Sequence, residues 1–340
     1  MTIKHLVLSG GGPVGLLEYG ILKNLSQKKI IKYENIKSIY ASSIGSLIGL
    51  IYLLQLEWEW IDDFFIKRPW FNIAEINTSS ILNIYYSKGL LDSNTIIKVI
   101  KPLLLSKCLN IDITLRELYD YTKIDFHIFT TNINKIISVD LNHISSPDLK
   151  LYDAITMTSC VPILFKPVYY NNEYYLDAGI LINCPINECL KKENCNTTNI
   201  LALLNDKRKP LLYENNSIDN IDKNSSLISF LIFLLKNIVK KLTILENENN
   251  IEIENIINVC LTESTVDINY WFKVLENEDL RKELIDLGIK QSEKFIENYN
   301  KFNDISNNKF NDISNNMLND ISNNMLNDIS NNMLNDKLLY

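Results

Sequence analysis

Residues 5–15 read His5-Leu6-Val7-Leu8-Ser9-Gly10-Gly11-Gly12-Pro13-Val14-Gly15, and residues 36–45 read Ile36-Lys37-Ser38-Ile39-Tyr40-Ala41-Ser42-Ser43-Ile44-Gly45. In each, a short apolar run of the kind that forms a buried strand leads into a tight turn of small residues. The strands are predicted over His5–Ser9 and Ile36–Tyr40. Helical spacing comes after each turn. Leu16, Leu17, Ile21, Leu22 and Leu25 line one side of a helix from Pro13 to Gln27, and the stretch from Gly45 through Leu54 is apolar nearly all round. Strand, turn and helix repeated in this order predict an α/β domain with a parallel sheet and covering helices.

Further along, helices are predicted from about Asn94 to Leu105, over Leu115–Tyr121, and from about Glu278 to Tyr299. Strands are predicted over Asp125–Thr130, Glu173–Leu176, Ile200–Leu204 and Ile256–Leu261. Trp58–Tyr86 is rich in aromatic residues and reads as an inserted helical or loop region, and Asn205–Asn224 as a charged, Asn-rich loop. After Tyr299 the octad Leu-Asn-Asp-Ile-Ser-Asn-Asn-Met, or a near copy of it, recurs from Phe302 through Met333. Eight residues of helix advance by ~800°, so equivalent positions drift by ~80° per repeat and no steady apolar stripe forms. The expected organisation is a domain over residues 1–300 and a disordered low-complexity tail over 301–340 with no catalytic role.

The 340 residues, 46% of them hydrophobic and 22% charged, describe a globular chain that can bury a large core. A net charge of −7 leaves no basic footprint, which argues against nucleic acid as a partner and against a general attraction to anionic membranes. The six cysteines include no Cys-x-x-Cys pair and no histidine at zinc-ligand spacing, so free thiols in a reducing compartment are expected, and no metal. The amino terminus runs straight into the first strand, which predicts no signal peptide and a cytoplasmic protein. The apolar stretch Leu227–Leu235, followed by Lys236, Lys240 and Lys241, falls short of the ~20 residues that cross a bilayer. It reads either as a buried helix or as an interfacial helix with lysines at its rim.

A glycine run after a strand lets backbone N–H groups converge at a helix N-terminus, where they can hold a phosphate or the oxyanion of a tetrahedral intermediate. Gly10 to Gly15 also fits G-x-G-x-x-G, the dinucleotide fingerprint. That alternative, a nucleotide-dependent oxidoreductase, requires an acidic residue at the end of the second strand. None stands there; the nearest, Glu34, precedes the strand. The second strand leads instead into small-x-Ser-x-Gly, with Ala41 and Gly45 two positions either side of Ser43. That is the pattern of a nucleophile elbow, although a serine N-cap in a helix-start loop would look the same. The three histidines, His5 and His127 in strands and His143 in a polar loop, do not suit a triad whose imidazole comes late in the chain. A carboxylate is therefore the expected base. The candidate is Asp177, in Tyr175-Leu176-Asp177-Ala178-Gly179, where a simple turn-forming aspartate is the alternative.

Taken together, these elements resemble the patatin-like phospholipase family over roughly residues 1–300. Its glycine loop resembles Gly10 to Gly15, its serine elbow Ala41 to Gly45, and its D-G-[GA] turn Asp177-Ala178-Gly179. Thr158 through Val168 is similar to the segment that precedes the family's aspartate, Asn183-Cys184-Pro185 to its Asn-x-Pro, and Leu287-Gly288 to its closing helix. The resemblance implies a three-layer αβα fold with a central, mostly parallel sheet. It implies a Ser43–Asp177 dyad, with N–H groups of Gly10, Gly11 and Gly12 as the oxyanion hole. Gly15, Ala41, Gly45, Ala178 and Gly179 would support the turns. The implied activity is hydrolysis of a phospholipid or another acyl-ester lipid without cofactor or metal, with transient contact at a membrane surface. A catalytically inert lipid-binding protein on the same fold is the alternative. Val14, Ala41 and Ala178 depart from the family's usual cation and glycines.

Overall fold

A computed structural model describes residues 2–74, 86–205, 253–261 and 268–301, together with single positions and short runs between 221 and 242. The central strands are β1 (His5–Leu8), β2 (Ser38–Ser42), β4 (Asp125–Asn132), β9 (Ile200–Leu204) and β10 (Asn255–Asn258). They lie side by side in the order β10-β9-β1-β2-β4, all parallel. β1 and β9, His-Leu-Val-Leu and Ile-Leu-Ala-Leu-Leu, are buried at every position, as strands covered on both faces require. β5 (Ile137–Leu141) returns from β4 as an antiparallel hairpin, and β7 (Val168–Tyr170) and β8 (Glu173–Leu176) form a second hairpin. β3 (Gly89–Leu91) and β6 (Ile163–Phe165) make a separate two-stranded parallel sheet.

The register along β4 places the site. Phe129 pairs with both Ser42 of β2 and Asp140 of β5, while Thr131 pairs with both Ser138 of β5 and Leu176 of β8. A strand has two edges, so β2 and β8 share the edge opposite β5 and run toward each other along it. They stop on either side of Thr130, with Ser43 and Asp177 as the next residues.

Helices cover the sheet on both faces. α1 (Val14–Gln27) and α2 (Ile44–Leu54) come directly after the first two turns, and every residue of α2 after Ile44 is buried. Gly49 of α2 lies against Ile39 and Phe126, which marks that face as the one α2 covers. Before α7 (Leu151–Ser159) come the short helices α3 (Trp58–Ile66), α4 (Trp70–Ala74), α5 (Ser93–Leu105) and α6 (Leu115–Thr122). α7 packs on β4, with Thr130 donating to the Met157 carbonyl. On the opposite face Val7, Tyr40, Phe129 and Ala202 form one core with Ile186 and Cys189 of α8 (Ile186–Glu193). The fold is therefore α/β, a central mostly parallel sheet between two helical layers. Residues 278–292 form a further helix that packs backbone to backbone on α1: a Cβ at Gly20 would run into the Ile285 carbonyl, and one at Gly288 into that of Leu17.

The second strand lies two residues later than the hydropathy suggests. Its first residue, Ser38, is polar yet fully buried, because its hydroxyl meets His5 Nδ1 on the neighbouring strand at 2.7 Å. The chain divides into two compact units, Met1–Ser292 and Glu293–Tyr340. The described residues of the second, 293–301, are helical. The tail expected beyond residue 301 and most of the loop expected over Asn205–Asn224 lie outside the described residues.

Candidate active site

Three turns converge at the carboxyl ends of the parallel strands: the glycine turn after β1, the serine turn after β2 and the aspartate turn after β8. Ser43 occupies φ 50°, ψ −125°, a conformation that costs a non-glycine residue about 1–3 kcal/mol and persists only where its surroundings impose it. Its N–H donates to Thr158 Oγ1 at 2.8 Å, and its carbonyl accepts Ser46 Oγ at 2.6 Å and Ser46 N–H at 2.9 Å. Gly45 passes so close to β1 that a Cβ there would stand 2.7 Å from the carbonyl oxygens of both Leu8 and Ser9. Ser43 is not a side-chain helix cap, since its hydroxyl makes no capping bond to α2.

Ser43 Oγ donates to Asp177 Oδ2 at 2.5 Å, and both residues are 7% exposed. Asp177 is fixed from three directions: Gly179 N–H donates to Oδ1 at 2.7 Å, Asp177 N–H donates to the Cys160 carbonyl at 3.0 Å, and Thr131 Oγ1 donates to the Asp177 carbonyl at 3.0 Å. A side chain at Gly179 would crowd Asp177 Oδ1 at 2.9 Å. Ala178 is buried in the core beneath α8, and Ala41 is buried within β2, so the two alanines that stand for glycines sit where a methyl group has room to pack. The neighbouring Cys160 thiol is pushed up to about 12, mainly by burial and then by the Asp177 charge.

The glycine turn crosses directly over Ser43, since a Cβ on Gly10 would lie 3.1 Å from Ser43 Cβ. Gly11 and Gly12 have φ of +155° and +56°, values that side chains disfavour, and the Trp271 ring of α9 (Ile268–Glu276) occupies the place of a Gly12 Cβ. Gly10 departs from the role its motif suggests. Its N–H donates to the Asn183 carbonyl at 3.0 Å, so it is committed to holding the turn and is not an oxyanion donor. Gly11 and Gly12 N–H have no acceptor among the described residues. The Gly10 carbonyl accepts Asn205 Nδ2 at 3.0 Å and Asn183 Nδ2 at 3.4 Å. Val14, where the family's cation is common, is buried at the start of α1.

The histidines serve elsewhere: His5 bonds Ser38, His127 bonds Asp140 Oδ2 at 2.8 Å, and His143 stacks on Tyr119 with ring centroids 3.7 Å apart. Among the described residues no group of three or more His, Cys, Asp or Glu side chains stands at metal-binding spacing. Asn205, Trp271 and Glu18 were not legible as site residues. Asn205 and Trp271 lie far along the chain in segments without a motif, and Glu18 reads as one of several polar residues on an amphipathic helix.

A family model described as Patatin-like phospholipase matches residues 6–190, a span that contains all three turns. A protein of Invertebrate iridescent virus 6 named probable lipid hydrolase 463L is 28% identical over 193 residues, covering 56% of this chain and 64% of that protein. The uncharacterized protein R571 of Acanthamoeba polyphaga mimivirus is 24% identical over 184 residues, covering 54% of this chain and 60% of that protein. The chain thus spans less than two thirds of these curated relatives, 64% and 60% of their lengths. Among solved structures, VipD from Legionella pneumophila aligns with a TM-score of 0.43 at 15% identity, over 85% of this chain and 67% of VipD.

Proposed function

The chain belongs to the patatin-like phospholipase family, and from that premise we propose that it is a lipid acyl hydrolase working through a Ser43–Asp177 dyad. The observation that carries the reading is the 2.5 Å hydrogen bond from Ser43 Oγ to Asp177 Oδ2, made at a backbone held in a strained turn. As Ser43 Oγ attacks the acyl carbonyl, its proton passes to Asp177. The carbonyl oxygen becomes an oxyanion, stabilised by the N–H groups of Gly11 and Gly12. Collapse of the intermediate expels the alcohol, which takes the proton from Asp177 and leaves the fatty acyl group on Ser43. Water then attacks the acyl-enzyme, giving its proton to Asp177, and the free fatty acid departs as Ser43 recovers its hydrogen.

The proposed substrates are phospholipids or other acyl-ester lipids, met by transient contact with a membrane surface from the cytoplasm. Among the described residues no helix is long and apolar enough to cross a membrane. Support for surface contact comes from the helical positions between 230 and 242: Phe230, Leu231, Leu234 and Ile238 are 48%, 44%, 43% and 46% exposed. At 100° per residue these four share one face. Their exposure favours an interfacial helix over a buried one.

The test is incubation of the purified chain with a fluorescent acyl ester and with an organophosphonate probe. Covalent labelling of Ser43 with release of fatty acid supports the proposal. Lipid binding without labelling would instead leave an inert lipid-binding protein.

A further inference from the structure

The hydrolytic cycle leaves Glu18 without a role, although its side chain lies immediately behind the glycine turn. Glu18 is fully buried in α1. Ser9, the residue that opens the turn, donates its hydroxyl to Glu18 Oε1 at 2.8 Å, and its backbone N–H bears on the same carboxyl. The Ser9 hydroxyl in turn accepts Asn205 N–H at 3.0 Å, and Asn205 Nδ2 donates to the Gly10 carbonyl at 3.0 Å. Glu18 Oε2 has no partner among the described residues. A leucine would fill such a site without the desolvation that a buried carboxyl suffers.

We propose that Glu18 is a positioning residue for the oxyanion turn: through Ser9 and Asn205 it fixes the Gly10 peptide and hence the direction of the Gly11 and Gly12 N–H groups. The catalytic consequence rests on the hydrolase reading above. Burial pushes the Glu18 carboxyl up to about 8, against the pull of its Ser9 donors, so it holds the turn in its neutral form. The charged groups on the surrounding elements are exposed or engaged elsewhere: Glu278, Asp279, Lys282, Glu283, Asp286 and Lys290 of the 278–292 helix are exposed. Lys23, the other charged residue of α1, pairs with Asp62, and α2 carries no charged residue. His5 of β1 bonds Ser38, and Arg281 of the 278–292 helix donates to the carbonyls of Phe65, Ile66, Arg68, Val274 and Leu275. Ionisation of Glu18 would place a negative charge behind the N–H groups that receive the oxyanion, and turnover should fall as pH rises through that value.

The experiment combines kinetics with amide hydrogen exchange on the full chain and on Glu18→Leu, Ser9→Ala and Glu18→Gln. Loss of well-placed oxyanion donors costs ~10²–10³-fold in kcat, so a turn that is loosened rather than removed should cost about 10- to 100-fold in Glu18→Leu and Ser9→Ala, with KM moved less than about threefold. In both, the peptide spanning residues 8–14 should exchange faster than in the parent while the α2 peptide does not. Glu18→Gln keeps the acceptor for Ser9, so it should retain most of the turnover and the slow exchange, and should carry activity to higher pH. Parent-like kcat and exchange in Glu18→Leu and Ser9→Ala would overturn the proposal. So would a Glu18→Gln enzyme as impaired as Glu18→Leu. Should Glu18→Leu fail to fold, Ser9→Ala, a smaller change, decides the matter. The exchange readout needs no chemistry: if the parent neither turns over nor labels at Ser43, the hydrolase reading falls while the exchange pattern still settles the role of Glu18 in the turn.

Discussion

Thr158 Oγ1 accepts the backbone N–H of Ser43 at 2.8 Å, and two residues later the Cys160 carbonyl accepts the N–H of Asp177 at 3.0 Å. The end of α7 therefore grips the backbones of both Ser43 and Asp177. Nothing in the Ser43 or Asp177 motifs supplies this brace; it comes from a helix that begins at Leu151 and ends at Ser159.

Thr158→Val keeps the shape and removes the acceptor, leaving the Ser43 N–H buried and unpaired at a cost of about 1–3 kcal/mol. Thermal denaturation should show a lower midpoint, and turnover should fall by at least about tenfold as the nucleophile loses its orientation. Thr158→Ser, which retains the oxygen, should restore most of both. Equal behaviour of valine and serine at this position would mean that Thr158 does not brace the nucleophile.

Ser43→Ala should abolish turnover and phosphonate labelling while shifting the thermal midpoint little. Ser42 is the control one residue away: its hydroxyl donates to the Ile182 carbonyl at 2.9 Å. Ser42→Ala should lose about 1 kcal/mol of stability with that hydrogen bond and keep most of the activity. An exchange of these two behaviours would place the nucleophile at 42.

Asp177→Asn should reduce turnover by several orders of magnitude, since general-base assistance alone is worth ~10²–10⁴-fold and the carboxylate also orients the hydroxyl. Replacing His5, His127 or His143 by glutamine or asparagine should affect stability through the lost Ser38, Asp140 or Tyr119 contacts, and turnover much less. A folded histidine variant as inactive as Asp177→Asn, with substrate binding intact, would replace the dyad by a triad.

The raised Glu18 carboxyl makes stability depend on pH in a definite direction. Between the ordinary glutamate value of 4.5 and about 8 the unfolded chain has released this proton while the native protein still holds it. The native state therefore binds more protons in that window, and stability falls as pH rises through it. Denaturant titrations at pH 5 and pH 8 should show Glu18→Gln gaining stability relative to the parent at the higher pH; a difference that does not change with pH would mean that Glu18 is ionised in the native protein.

Local rules account for the elements that were legible in the sequence. The largely apolar β1, the all-apolar β9, the all-round apolar α2 and the small residues of the three turns each carry their own signal, and the turn positions Gly10 to Gly12, Ser43 and Asp177 come together as the chain order suggested. The remainder depends on partners distant in sequence. Ser38 is strand because His5 bonds its hydroxyl, and Gly10 is not an oxyanion donor because Asn183, 173 positions later, takes its N–H. β5 and β7 are partly exposed hairpin strands, and β7 has two of its three residues exposed, so neither shows the apolar run by which the central strands announce themselves.

The meeting of β2 and β8 on one edge of β4 bears on how this chain can vary. Ser43 and Asp177 are 134 positions apart, but a single residue of β4, Thr130, separates the two strand ends that carry them. β4 acts as a ruler. Apart from β4 itself and α7, whose end holds both backbones, loops and helices between Ser43 and Asp177 can lengthen, shorten or change their composition without moving one strand end against the other. One residue gained or lost inside β4 beside Thr130 would shift one strand end against the other and part the pair while leaving both motifs intact in the sequence.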